Sequence, residues 1–182
     1  LNMRLASIAL VSLFTLFNIP NSHAQNVEMT ACDTKVCTDH YREFRKLANN
    51  GSPQAQLTVA GMHYSGYGVE RDVKESLNWY RKAAKHGGVA FATFRAGMIY
   101  LFDKDVEQNI EKGVEFLTRA AEAEHSTATH TLANLYMSGK FVKKDRLKGF
   151  RYLEQGAKLG NPNSLYELGK LYESGVTGKK ET

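Results

Sequence analysis

Between residues 55 and 84 the apolar positions follow two helical stripes with a break between them. Ala55, Val59 and Met62 share one helical face with Ala60 and Gly61 beside them. Ser65, Gly66, Tyr67 and Gly68 then interrupt the periodicity, and Leu77, Tyr80, Ala83 and Ala84 restore it. The pattern predicts a helix hairpin. It recurs downstream at a period of about 36 residues. Ala92, Ala96, Gly97, Ile99 and Tyr100 restate its first half, and Phe116, Ala120 and Ala121 its second. Ala128, Leu132, Ala133, Leu135, Tyr136 and Gly139, followed by Phe150, Tyr152, Ala157 and Gly160, do so again. Ser164, Leu168, Gly169, Leu171, Tyr172 and Gly175 begin a further copy, with no room before Thr182 for its second helix. Ahead of the first copy, Tyr41, Phe44, Leu47, Ala48 and Gly51 reproduce the end of a unit. One of Gly87 and Gly88 is the extra residue between the first two copies.

The expected organisation is a targeting segment over 1–24, a lead-in over 25–36 containing Cys32, and a repeat array over 37–182. The array divides into a half repeat 37–51, repeats of about 53–88, 89–125 and 126–160, and a partial repeat 161–182. Two-helix units repeated at this period cannot bury their apolar faces alone, so neighbours must stack, and the expected fold class is all-α, a solenoid of helix hairpins. Ala60, Gly97, Ala133 and Gly169 recur where the first helix must pass close to its neighbours. Ala83 and Ala84, Ala120 and Ala121, and Gly156 and Ala157 let the second helix approach as closely. Trp79, Phe116 and Tyr152 occupy one equivalent position and are expected to fill space between units.

These residues carry a resemblance. Gly66, Gly68 and Val69, then Asp72, Leu77, Trp79, Tyr80, Ala83, Ala84 and Gly87, match the Sel-one-like repeat, a relative of the tetratricopeptide repeat, almost position by position. The likeness extends over roughly residues 37–178. It implies a right-handed, tetratricopeptide-like α/α superhelix that organises protein complexes, and in exported bacterial members a role in envelope assembly, signalling or host contact. The departures are informative. Phe102, Asp103, Lys104 and Asp105 replace the Gly-x-Gly turn of the second copy, which predicts a reshaped loop because Asp accepts the left-handed conformation less readily than Gly. In the third copy Phe141 stands at the second glycine position. Asp103, Asp105, Glu107 and Asn109 alternate like the start of a calcium loop. Gln108 and Val114 stand where such a loop needs Gly and a bidentate Glu, so a solvated acidic turn is expected.

Tetratricopeptide-type solenoids line a concave groove with the first helix of each unit. By that analogy the groove candidates are Phe94, Met98 and Leu101 in the second unit, His130, Asn134 and Met137 in the third, and Tyr166 and Lys170 in the fourth. Phe94, Met98 and Leu101 lie at i, i+4 and i+7, and two readings of that stripe stay open: an exposed apolar groove, or filling between units. His130 beside Asn134 and Met137 gives a polar, adaptable segment. His63 stands where other copies carry Tyr100, Tyr136 and Tyr172, which predicts a packing role at a seam.

The first residues differ from all that follow. Arg4 is the only charge in 1–24, an apolar run covers 5–19, and Ser22 and Ala24 fit a small-x-small cleavage pattern, so a signal peptide cut after Ala24 is expected. The run is shorter than the ~20 residues of a spanning helix, leaving no membrane span after signal removal and a periplasmic or secreted product. In that oxidising setting Cys32 and Cys37 are expected to form a disulfide. With His40 they also spell Cys-x4-Cys-x2-His, a possible zinc or copper set with no evident fourth ligand, so no metal is expected.

Composition narrows the function. A net charge of +5 with 24% charged residues of both signs is too mild and too mixed to argue for nucleic acid. No Gly-x-Ser-x-Gly, His-Glu-x-x-His or phosphate-binding loop is present, so neither a catalytic residue nor a cofactor is expected. The sequence reads as a non-enzymatic scaffold or adaptor of the bacterial envelope that holds a protein or peptide in its groove. The alternative, drawn from a different class, is an envelope enzyme or a binder of peptidoglycan or β-lactams.

Overall fold

A computed structural model describes residues 30–87 and 89–175; the expected signal segment, Gly88 and residues 176–182 lie outside them. Eight helices follow one another among the described residues: α1 Lys35–Asn49, α2 Pro53–Ser65, α3 Val73–Gly87, α4 Ala90–Phe102, α5 Ile110–Glu122, α6 Ser126–Ser138, α7 Arg146–Lys158 and α8 Pro162–Glu173. Each packs on the helix before and the helix after it, so the fold is an α-solenoid.

Local chemistry sets the ends of each helix. The second helices begin at Asp72, Asn109 and Asp145, whose side-chain oxygens accept the backbone N–H three residues on at 2.9 Å. Each of these residues also donates its own N–H to the preceding helix, at His63, Tyr100 and Tyr136. The same bond thus ties these three turns down, at a position held by His63 in the first copy and by tyrosine in the next two. The first helices begin at Ser52, Val89, His125 and Asn161. Ser52 and Asn161 cap in the ordinary way, Val89 has no polar side chain to offer, and His125 caps with its ring, Nδ1 accepting from the Ala128 N–H at 3.2 Å.

Small residues control how closely the helices of a hairpin meet. Ser76 donates to the Ala60 carbonyl at 2.8 Å, and Gly113 and Gly149 occupy the corresponding place in the later hairpins. A Cβ at Gly113 would lie 2.5 Å from Leu101 Cγ and 3.3 Å from the Gly97 carbonyl oxygen; at Gly149 it would meet Met137 Cγ at 2.6 Å and the Ala133 oxygen at 3.1 Å. The stacking role expected of Gly97 and Ala133 is therefore visible as backbone contact. Trp79 is buried with the Lys82 ammonium 3.8 Å above its ring. Phe116 packs against Tyr100 and Tyr152 against Tyr136, so these ring contacts close each hairpin on itself, where filling between units was expected.

The turns divide as the sequence implied. Gly66 and Gly68 adopt φ 80° and 68°, and Gly139 and Phe141 repeat that geometry at 79° and 69°. Phe141 thus holds a left-handed conformation that costs an L-residue about 1–2 kcal/mol. In the second copy Asp103 is extended at φ −83°, its carboxylate accepts the Asp105 N–H, and Asp105 pairs with Arg71 of the preceding turn at 2.6 Å. Asn109 is engaged as the cap of α5, so this acidic loop is held by its own chain.

The lead-in is stapled to the first turn. Cys32 and Cys37 are disulfide-bonded, with Cα atoms 6.1 Å apart. Cys32 donates to the Gly66 carbonyl at 3.1 Å and accepts from the Gly68 N–H at 2.6 Å. Any side chain at Gly68 would run into the Cys37 carbonyl. The His40 ring lies parallel to Tyr67, its Nδ1 3.2 Å from the phenol oxygen. Sulfurs bonded to each other present no thiolate, so the Cys-x4-Cys-x2-His set is not assembled as a ligand group.

Candidate interaction surface

The candidates on α4 separate sharply. Leu101 is 1% exposed and forms the wall against which Gly113 lies; Phe94 is 9% exposed. The Phe94 ring stacks on His125, centroids 4.7 Å apart and 19° from parallel, with Phe91 tilted beside both. Neither is a groove residue, which corrects the groove expectation for both positions. The reason is that α4 is clasped by α3 and α5 while its N-terminal turn also meets the start of α6, so its apolar stripes are consumed as core. Met98 alone of the three is half-exposed. It lines a cavity of about 140 Å³ with Tyr64, Arg95, Ile99, Phe102 and Asp103.

On α6, His130 is a hub. Its Nδ1 lies 3.2 Å from Ser164 Oγ, and its Nε2 lies 3.1 Å from Asn134 Nδ2 and 3.8 Å from Glu167 Oε1. Hydroxyl, imidazole and carboxylate thus follow one another as in a nucleophile relay. Ser164 is 0% exposed, however, packed where Gly156 has no side chain, and a sealed hydroxyl cannot meet a substrate. The set joins α6 to α8. Met137 is half-buried over Gly149, and Asn134 is exposed. On α8, Tyr166 is 65% exposed with Lys170 Nζ 4.9 Å above its ring.

Met98, Asn134, Tyr166 and Lys170 therefore remain at the surface of successive first helices, with His130 and Met137 half-covered between them. Sequence reasoning missed the cations around them. Arg95 lies 4.5 Å over Tyr64 and 5.8 Å over Tyr80, and Lys140 sits 5.4 Å and 5.1 Å from the rings of Phe102 and Phe141. Those two rings meet edge to face at 5.4 Å, across neighbouring turns. Phe102 and Phe141 had stood out as departures from the glycine pattern, but their approach and the cation between them needed the turn geometry. His125 was also missed as a cap.

The larger cavity, about 510 Å³, lies beside the first turn and is walled by His63, Val69, Glu70, Arg71, Asp72, Val73, Lys74 and Asp105, with the Arg71–Asp105 pair across it. His63 is buried at the seam with α1, where its Nε2 meets the Tyr41 hydroxyl at 3.1 Å. Burial holds its pKa below the usual histidine value against the opposing pull of Glu75 and Asp72. Burial lowers His125 likewise. Among the described residues no group of three His, Cys, Asp or Glu side chains is placed to hold a metal ion, and no helix is long and apolar enough to cross a membrane.

Comparison with known proteins agrees with this architecture. A profile for plant tetratrico peptide repeats matches residues 71–163, and one for the Sel1 repeat matches 53–88 and 162–181. The crystal structure of a Sel1 repeat protein from Oxalobacter formigenes superposes with a TM-score of 0.71 at 28% identity, covering 79% of this chain and 58% of that protein. The protective antigen c5321 of uropathogenic Escherichia coli, which displays an SLR fold, gives 0.72 at 27% identity, covering 80% of this chain and 31% of the antigen. Cysteine rich protein B of Helicobacter pylori gives 0.57 at 15% identity over 70% of this chain and 96% of its own, a likeness of fold alone. This chain thus spans little more than half of the first relative and under a third of the second. With hairpins, turns and profile matches in one register, the chain belongs to the Sel1-like repeat family of tetratricopeptide-type proteins.

Proposed function

We propose that this chain is an extracytoplasmic scaffold without chemistry of its own, which binds a protein or peptide along the face formed by its first helices. Sel1-type repeat proteins generally mediate protein–protein contacts. One observation carries the reading for this chain: α4, α6 and α8 leave Met98, Asn134, Tyr166 and Lys170 in contact with solvent, while the apolar stripes of α4 and α6 are sealed by the second helices. The sealed Ser164 argues against an enzyme built on the one relay-like set, and the Cys32–Cys37 bond suits an oxidising compartment. The Ser22–Ala24 cleavage pattern supports export to the periplasm or beyond.

A photo-crosslinking residue placed at Asn134 or Tyr166, and as a control at the exposed Arg151 of α7, tests the face in cells. Adducts of one size from the first two positions and none from Arg151 are expected. Adducts from Arg151 alone would place the partner elsewhere.

A further inference from the structure

The contact between the turns of the second and third repeats goes beyond general scaffold binding. Phe102 is 45% exposed at the end of α4, and Phe141 meets it from the α6–α7 turn. Phe141 keeps a bulky ring at φ 69°, where its counterpart in the first full repeat is Gly68 at 68°. Strained backbone of this kind persists where the side chain has a use. The half-buried ring packs against the core formed by α4, α5 and α6 on one side and carries an apolar edge out to the exposed Phe102 on the other.

The edge carries charge of one sign. Lys140 lies over both rings, Lys143 and Lys144 follow it on the same turn, and Arg146 opens α7. Asp145 is the one acidic residue in that run, and its carboxylate caps α7. Among the described residues none of these four cations is paired with a carboxylate. On the far side of Phe102, the 140 Å³ cavity has room for one aliphatic side chain between Tyr64, Met98 and Ile99. Arg95 also lines it, its guanidinium held over tyrosine rings and, among the described residues, paired with no acid. Asp103, the acid at the cavity, is engaged by the Asp105 N–H, and Asp105 by Arg71.

We propose that this edge docks an acidic segment of a partner protein, with one apolar side chain of the segment in the Met98–Phe102 cavity and its carboxylates over Lys140 and the lysines that follow. Charge complementarity selects the occupant: unpaired cations on one side and an apolar slot on the other fit a peptide that alternates Asp or Glu with Leu, Ile or Phe. The acidic turn beside it, 103–107, sets the polarity, since carboxylates must lie on the Lys140 side. An anionic bilayer, presenting one sign of charge everywhere, would be repelled there. The assignment rests on the scaffold reading above and specifies one part of that surface.

The test is selection of random peptides displayed on phage against the full chain, followed by affinity measurement on synthetic versions. Phe141→Gly removes the ring at a position where glycine is the easier residue, so its folding is secure; Lys140→Glu reverses the charge. Enriched peptides that alternate acidic and apolar residues, and bind each variant about tenfold more weakly, are the expected result. Peptides that are neutral or basic, or that bind both variants as well as wild type, overturn the assignment. If they are instead lost with Tyr166→Glu, the scaffold reading stands without this edge; if no peptide is enriched, both fall. Co-sedimentation with phosphatidylglycerol vesicles that depends on Lys140 would make the edge a lipid contact and overturn it as well.

Discussion

Replacing Gly113 by alanine sets two effects of known sign against each other. Within a helix, Gly→Ala stabilises by about 1 kcal/mol through backbone entropy. At Gly113, however, the new Cβ falls 2.5 Å and 2.6 Å from Leu101 Cγ and Cδ2, with the Gly97 carbonyl oxygen at 3.3 Å behind. Leu101 is 1% exposed and has nowhere to swing, so overpacking of about 1–3 kcal/mol is expected. The net should be a loss of up to about 2 kcal/mol. Gly169 supplies the control, since it too lies inside a helix but nothing stands within 4 Å of its Cβ position. There alanine should stabilise by the full ~1 kcal/mol. Urea unfolding followed by circular dichroism reads both, and the substitutions should move the midpoint in opposite directions. A cycle with Leu101→Ala separates clash from context: once the wall is removed, Gly113→Ala should turn neutral or stabilising, a coupling of about 2 kcal/mol. Equal gains at positions 113 and 169, or an unchanged effect of Gly113→Ala beside Leu101→Ala, would refute close approach of α4 and α5.

Phe141→Gly relieves about 1–2 kcal/mol of left-handed strain but gives up the packing of a half-buried ring, so its net cost should fall well short of the ~3–5 kcal/mol of truncating a buried aromatic, and thermal unfolding reads it directly. His63 and His125 both bind protons less readily in the folded protein, so between their folded values and the ordinary histidine value of 6.5 the unfolded chain holds more protons; stability should be full above 6.5 and fall as pH drops beneath it. His125→Asn keeps a cap for α6 that does not titrate, and unfolding midpoints taken across pH 5 to 8 should show a shallower slope, in the same range where charging Nδ1 would turn it from acceptor to donor. Reduction of Cys32–Cys37 removes a short closed loop worth about 2 kcal/mol, and hydrogen exchange should rise at the Gly68 amide while α6 and α7 are unchanged.

The repeat made the array legible because each hairpin meets nearly the same surroundings, so a residue's role repeats with its position. Gly113 and Gly149 face Gly97 and Ala133 for one reason stated twice. What the sequence could not resolve is where one surface meets two neighbours. Phe94 and Leu101 sit on stripes that look alike, and only the placement of α5 and of His125 shows that both are covered. His125 carried no capping signature, since an imidazole stands where other copies have Ser52 and Asn161. Lys140 lies far along the chain from Phe102, and their meeting depends on Phe141 holding the left-handed geometry while Asp103 abandons it.

Because each helix touches chiefly its predecessor and its successor, nearly every contact closes a short loop of chain. Low contact order of this kind favours rapid folding, and nucleation can begin at any hairpin and spread in either direction. The lead-in reaches as far along the chain as the contacts between repeats, since Cys32 must find Gly66 and Gly68 across the whole of α1 and α2, but it has no helix partner of its own to hold it there. Its docking should therefore be a late event, completed only once the first turn exists to receive it, and the first to be undone when the chain is pulled from its amino end.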